Sequence, residues 1–105
     1  MTNKITKLSE NDFFNTSGTH RVGELTDINY NKLLKILGEP TYDYPSEDHK
    51  KQLEWVLLYN DNIYTIYDWK TYSREYTTNE LTTWSIGGKT NPDELIEYML
   101  YTLEN

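Results

Sequence analysis

The spacing of apolar and polar positions changes several times along this chain, and each change marks an element. From Asn29 to Pro40, "NYNKLLKILGEP" repeats at the helical period: Tyr30, Leu33, Leu34 and Leu37 share one face, while Asn31, Lys32 and Lys35 share the other. Asn29 is suited to cap the first turn, Gly38 to the left-handed position after the last, and Pro40 to stop the helix. From Gln52 to Lys70 the period drops to two. "QLEWVLLYNDNIYTIYDWK" holds two runs rich in β-branched and aromatic residues around Asp61-Asn62. It predicts a hairpin in which Tyr59 faces Tyr64, Leu57 faces Ile66 and Trp55 faces Asp68. The opposite face would carry Val56, Leu58, Thr65, Tyr67 and Trp69.

Three further stretches complete the pattern. "GTHRVGEL", Gly18 to Leu25, reads as a first strand and "TTWSIGG" as a last one. "NPDELIEYMLYTLEN" reads as a closing helix. Asn91 caps it, Pro92 takes its first position, Asp93 and Glu94 complement its dipole, and Leu95, Ile96, Met99, Leu100 and Leu103 form its buried stripe. "TYSREYTTNEL" reads as a loop, long for a strand connection, carrying Tyr72, Arg74 and Tyr76. Residues 1–14 keep no steady period and are expected to form a loosely ordered arm, with residues 15–105 a single domain. The order is β-α-β-β-β-α, which defines an α+β fold: one antiparallel sheet with the helices packed on one face.

Composition narrows the chemistry. With 105 residues the chain fits one domain. It has no cysteine, which rules out disulfides and thiolate metal sites. His20 and His49 have no ligand-like spacing around them, so neither a metal nor another cofactor is expected. No apolar stretch approaches a membrane span and no secretory signal is visible, so the expectation is a soluble protein of the cytoplasm. The net charge is −7, and the acidic excess lies from Glu39 onward. Such a field repels nucleic-acid phosphates and suits a basic protein surface. The ten tyrosines and three tryptophans are more than a small core consumes, which points to an interface with a partner or with a second copy.

"WSIGGKTNPDEL" resembles the end of a phosphate-binding loop, but Thr83 stands where the first glycine of that loop is required, and Pro92 removes a backbone donor. Gly87 and Gly88 are therefore expected to end a strand and allow a sharp turn. Trp84, Gly87, Gly88 and Lys89 stay as candidates for either a structural or a ligand-binding role. Asp68 falls on the face of Trp55 and Ile66, where a carboxylate needs donors from backbone, a tyrosine hydroxyl or a cation. It too has either a structural or a ligand role. No cysteine nucleophile, nucleophile elbow or recognisable carboxylate pair is present, so binding is favoured over catalysis. The binding candidates are Tyr67, Trp69, Lys70, Tyr72, Arg74 and Tyr76.

The pattern Tyr30-x-x-Leu33-x-x-x-x-Gly38-x-Pro40, followed by Glu54-Trp55, Ile66-Tyr67-Asp68-Trp69-Lys70 and Trp84-x-Ile86-Gly87-Gly88, resembles a group of small bacteriophage and prophage proteins over roughly residues 18–90. The resemblance implies a phage origin and carries no catalytic residues. It implies a counter-defence protein, similar in role to an anti-CRISPR, that acts in the cytoplasm of the infected bacterium. Such a protein would inhibit a host immune protein through acidic surface and exposed aromatics. The alternative is a sponge that sequesters a nucleotide immune signal in an aromatic and basic pocket.

Overall fold

In the computed structural model, which describes residues 5–12 and 14–104, the central hairpin turns one residue earlier than the spacing suggests. Strands β3 (Glu54–Tyr59) and β4 (Asn62–Tyr67) pair with Tyr59 opposite Asn62, Leu57 opposite Tyr64 and Trp55 opposite Ile66. The turn residues are Asn60 and Asp61, both at positive φ (52° and 62°), as a type I′ turn demands. The expected Tyr59–Tyr64, Leu57–Ile66 and Trp55–Asp68 pairings are thus each displaced by two positions on β4. A displacement of two preserves faces, so the sorting of side chains into inner and outer sets survives.

The remaining strands are β1 (Thr6–Leu8), β2 (His20–Leu25) and β5 (Trp84–Gly88), and the helices are α1 (Tyr30–Leu37), α2 (Arg74–Asn79) and α3 (Asp93–Glu104). The sheet order is β1-β3-β4-β5-β2, antiparallel throughout. The β-α-β-β-β-α series is present as β2-α1-β3-β4-β5-α3, and the protein is an α+β single domain. Two short elements are added. Thr6–Leu8, inside the stretch expected to be a loose arm, forms an edge strand on β3; residues 1–4 of that arm, and residue 13, lie outside the described residues. The expected loop at 71–81 contains α2, started by Ser73, whose Oγ accepts from the Tyr76 N–H, with Glu75 in its first turn.

One core lies between the sheet and helices α1 and α3. Leu25, Trp55, Leu57, Tyr64, Ile66, Trp84 and Ile86 from the strands join Leu33 and Leu37 of α1 and Leu95 and Met99 of α3. Trp55 and Trp84 meet edge to face with centroids 5.6 Å apart. Each indole N–H is satisfied: Trp55 donates to the Gly38 carbonyl at 2.9 Å and Trp84 to the Ile28 carbonyl at 2.7 Å, so the two rings pin both ends of α1 to the sheet. Asn29 accepts from the Lys32 N–H, and Gly38 adopts φ 79°. Leu100, expected in the buried stripe of α3, is instead exposed.

Gly87 and Gly88 do not form a turn. Both are buried within β5, and their smallness serves close packing: a Cβ on Gly87 would lie 2.6 Å from Thr65 Oγ1, and one on Gly88 would lie 2.9 Å from Tyr64 Cδ1.

β1 and β2 occupy opposite edges, so the chain between them must cross the sheet. Thr16 and Thr19 share a hollow with Thr65, Tyr67 and Gly87, which places this crossing on the outer face, away from the helices. The outer face is therefore covered in part. Val56 is buried, Leu58 and Tyr67 are half-buried, and Trp69 stays exposed.

Candidate functional site

Asp68 organises the surface that carries the aromatic candidates. It follows the end of β4 and is fully buried. Its Oδ1 accepts the Gln52 and Leu53 N–H groups at 2.7 and 2.9 Å, and its Oδ2 accepts the Thr71 and Thr77 hydroxyls at 2.7 and 2.8 Å. The donors are backbone and threonine rather than a tyrosine or a cation. One carboxylate thus joins the start of β3, the segment after β4 and helix α2. Buried and with both oxygens occupied by these donors, Asp68 serves the structural role of the two expected for it.

The segment it holds is strained. Lys70 and Tyr72 sit at φ 59° and 55°, a region that costs a side-chain-bearing residue about 1–3 kcal/mol each. The Lys70 N–H donates to the Lys50 carbonyl at 2.7 Å, which locks this conformation to the neighbouring loop. The outcome is outward presentation: Trp69 is 47% exposed and Tyr72 59% exposed.

Around Trp69 the charge is opposite to that of the whole chain. Lys50 and Lys70 lie 5.6 and 5.9 Å from its ring centroid, and Lys51 lies 5.3 Å from the Tyr67 ring. Tyr67 and Trp69 meet edge to face at 6.0 Å. The loop that brings Lys50 and Lys51 here is braced by its own polar groups. The Ser46 hydroxyl donates to Asp48, and this bond, with the Lys50 N–H, holds the Asp48 carboxyl below its usual pKa.

Beside the lysines, at the start of β3, stands Glu54, whose side chain is 17% exposed and bridged by Lys51 at 3.3 Å. Burial raises its pKa, and Lys51 offsets this only in part. Burial, with the Glu54 charge nearby, also raises the hydroxyl pKa of Tyr67 and of Tyr42. The Lys51–Glu54 bridge separates two hollows. One, of about 290 Å³, is bordered by Tyr42, Tyr44 and Leu53; the other, of about 210 Å³, by His20, Thr65, Tyr67 and Trp69.

The structure brings Tyr67, Trp69 and Lys70 together. It does not bring all six binding candidates to one place. Arg74 forms an ion pair with Asp43 at 2.7 Å, while Tyr76 lies exposed on α2. Trp84, Gly87 and Gly88 are buried, with Gly87 bordering the hollow beside Tyr67, and Lys89 is exposed with its Cε over Gly18. Sequence reasoning missed Lys50, Lys51 and Glu54. The alternation that put Val56 on the outer face also puts Glu54 there, and that was the available signal.

The class these features define is a small α+β domain with an exposed aromatic and lysine surface. No family model, curated protein or solved structure gives a significant match to the chain. Among the described residues no helix is long and apolar enough to cross a membrane, and no group of three acidic or histidine residues is placed to hold a metal ion.

Proposed function

We propose that this chain is a non-enzymatic binding protein, a phage counter-defence factor that inhibits a host immune protein, with Trp69 at the centre of its contact surface. One observation carries the reading: an exposed tryptophan held on strained backbone by a fully buried carboxylate. Strain of this kind is retained where a surface must be presented in one geometry, and a rigid aromatic loses little entropy on binding. The phage resemblance supports a host defence protein as the target. The lysines beside Trp69 favour an acidic or neutral patch on the partner at this face. The nucleotide-sponge alternative has Lys51, His20 and Trp69 in its favour, but the hollow they border is about 210 Å³ and shares Glu54, which opposes a phosphate. Small-molecule sites usually span about 300–1,000 Å³.

The test is a double substitution, Trp69→Ser with Tyr72→Ser, made in the full chain. A thermal melt should change little, because both side chains are exposed. Quantitative capture from lysate of a defended host, beside an infection assay in that host, should lose the partner and the protective effect together. A folded double variant that keeps both defeats the proposal. Mass spectrometry of small molecules released from the purified parent covers the sponge reading, which a nucleotide lost with Trp69 would favour instead.

A further inference from the structure

Helix α3 carries a second stripe beside its buried one. Glu94, Glu97, Tyr98 and Tyr101 recur at helical spacing and border a shallow hollow of about 500 Å³ whose inner wall is Tyr59 of β3. Tyr59 and Tyr98 lie 5.7 Å apart, their rings tilted by 50°. Tyr59 and Glu94 are shared with an adjoining hollow of about 440 Å³, bordered by Asn60, Asn62, Asn91 and Asp93. The two hollows adjoin at Tyr59 and Glu94 and form a grooved surface between the hairpin tip and α3. The Asn60 amide donates to Glu94 at 3.2 Å and ties its two sides.

Aromatic faces and carboxylates converge here, whereas the Trp69 surface combines aromatics with the chain's own lysines. Among the described residues, no lysine or arginine borders either hollow of the groove. Asp93 and Glu94 are accounted for by the helix dipole, but Glu97 lies beyond the first turn. A cation placed over Tyr98, beside Glu94 and Glu97, would find a ring quadrupole and carboxylates at once. We propose that this groove binds an extended, lysine- or arginine-bearing segment of a protein partner. It is a surface separate from Trp69, and the inference does not rest on the role proposed for that residue.

The probe is a capped peptide of alternating glycine and arginine, titrated into the full chain and followed by NMR of the tyrosine rings. The expected result is movement of the Tyr59, Tyr98 and Tyr101 signals, and no binding of the same peptide with citrulline in place of arginine. Glu94→Gln with Glu97→Gln should weaken binding about fivefold or more, the scale of a pair of exposed charge contacts. Tyr101→Ser, which leaves the charge unchanged, should weaken it as well. Glu75→Gln with Glu80→Gln on α2 changes the net charge equally and should have little effect. Equal weakening by the two charge pairs would reduce the interaction to bulk attraction and overturn the proposal. Unchanged affinity in Tyr101→Ser, or signals that move around Trp69 instead, would also overturn it. So would concentration-dependent shifts of the groove signals that the peptide cannot reverse, because a second copy would then be the occupant.

Discussion

Replacing Asp68 by asparagine and by alanine should give very different costs, and the difference tests how this fold holds its display loop. In Asp68→Asn the side-chain oxygen can still accept from Gln52 and Leu53. The new amide would face the hydroxyls of Thr71 and Thr77. Those hydroxyls can turn, because Thr77 has the Ser73 carbonyl at 3.0 Å and Thr71 has Thr77 Oγ1 at 2.8 Å. What is lost is the charge assistance to two backbone bonds, roughly 1 kcal/mol each, offset in part by no longer burying a charge. The net expectation is about 1–2 kcal/mol. In Asp68→Ala two buried backbone N–H groups lose their acceptor at about 1–3 kcal/mol each, for a total of about 2–6 kcal/mol and about 4 kcal/mol at the centre of that range. Urea unfolding followed by far-UV circular dichroism measures both. Asparagine should also preserve partner binding, while alanine frees the segment carrying Trp69 and Tyr72 and weakens it. An alanine variant within about 0.5 kcal/mol of the parent, the range of an ordinary surface change, would refute the argument. Equal costs for the two variants would refute it as well.

Two further outcomes are expected. Gly87→Ala should destabilise the sheet because its Cβ meets Thr65 Oγ1 at 2.6 Å, and Thr65→Ala should relieve part of that cost, with a coupling of about 0.5–3 kcal/mol in a double-mutant cycle; strict additivity would show that the contact is not the cause. Glu54 has a raised pKa, so the folded state holds its proton more tightly than the unfolded chain does. Its stabilising contribution is full below the usual glutamate value and is lost as pH rises through the raised one. The stability of the parent minus that of Glu54→Gln should therefore fall across that window, and a flat difference would show that burial does not govern this carboxyl.

Local signals in the sequence were strong where one residue type meets one geometric demand. Asn29, Gly38 and Pro40 bracketed α1, and the alternation in β3 and β4 sorted inner from outer side chains. The hairpin register was less legible, because Asn60, Asp61 and Asn62 all tolerate positive φ and only packing selects the first two. α2 is six residues long with a single buried residue, Thr77, and so has no apolar stripe to read. Thr6–Leu8 is a strand because β3 offers an edge, a fact invisible in a three-residue segment. The lysines around Trp69 come from 50–51 and from 70, stretches far apart in the chain that the Lys70–Lys50 backbone bond and the Asp68 carboxylate bring together. The α3 groove escaped notice for a different reason: its tyrosines alternate with the buried stripe and were absorbed into a count of surplus aromatics.

The crossing segment has a consequence for biosynthesis. β1 and β2 are neighbours in the chain, yet each pairs with a strand made much later, β1 with β3 and β2 with β5. When β2 leaves the ribosome, its partner is roughly 60 residues away, several seconds at roughly 5–20 residues per second. During that interval β2 has no strand to join, whereas β1 can pair once β3 is made, and β3–β4 is the first pair that can close locally. The sheet is thus expected to grow outward from its centre, with the edges and the strap between them docking last. The outer face, where Trp69 and the Lys51–Glu54 bridge sit, is therefore completed only at the end of folding. A nascent chain stalled before Trp84 would hold the central hairpin but not the hollow beside Tyr67, which Gly87 of β5 borders.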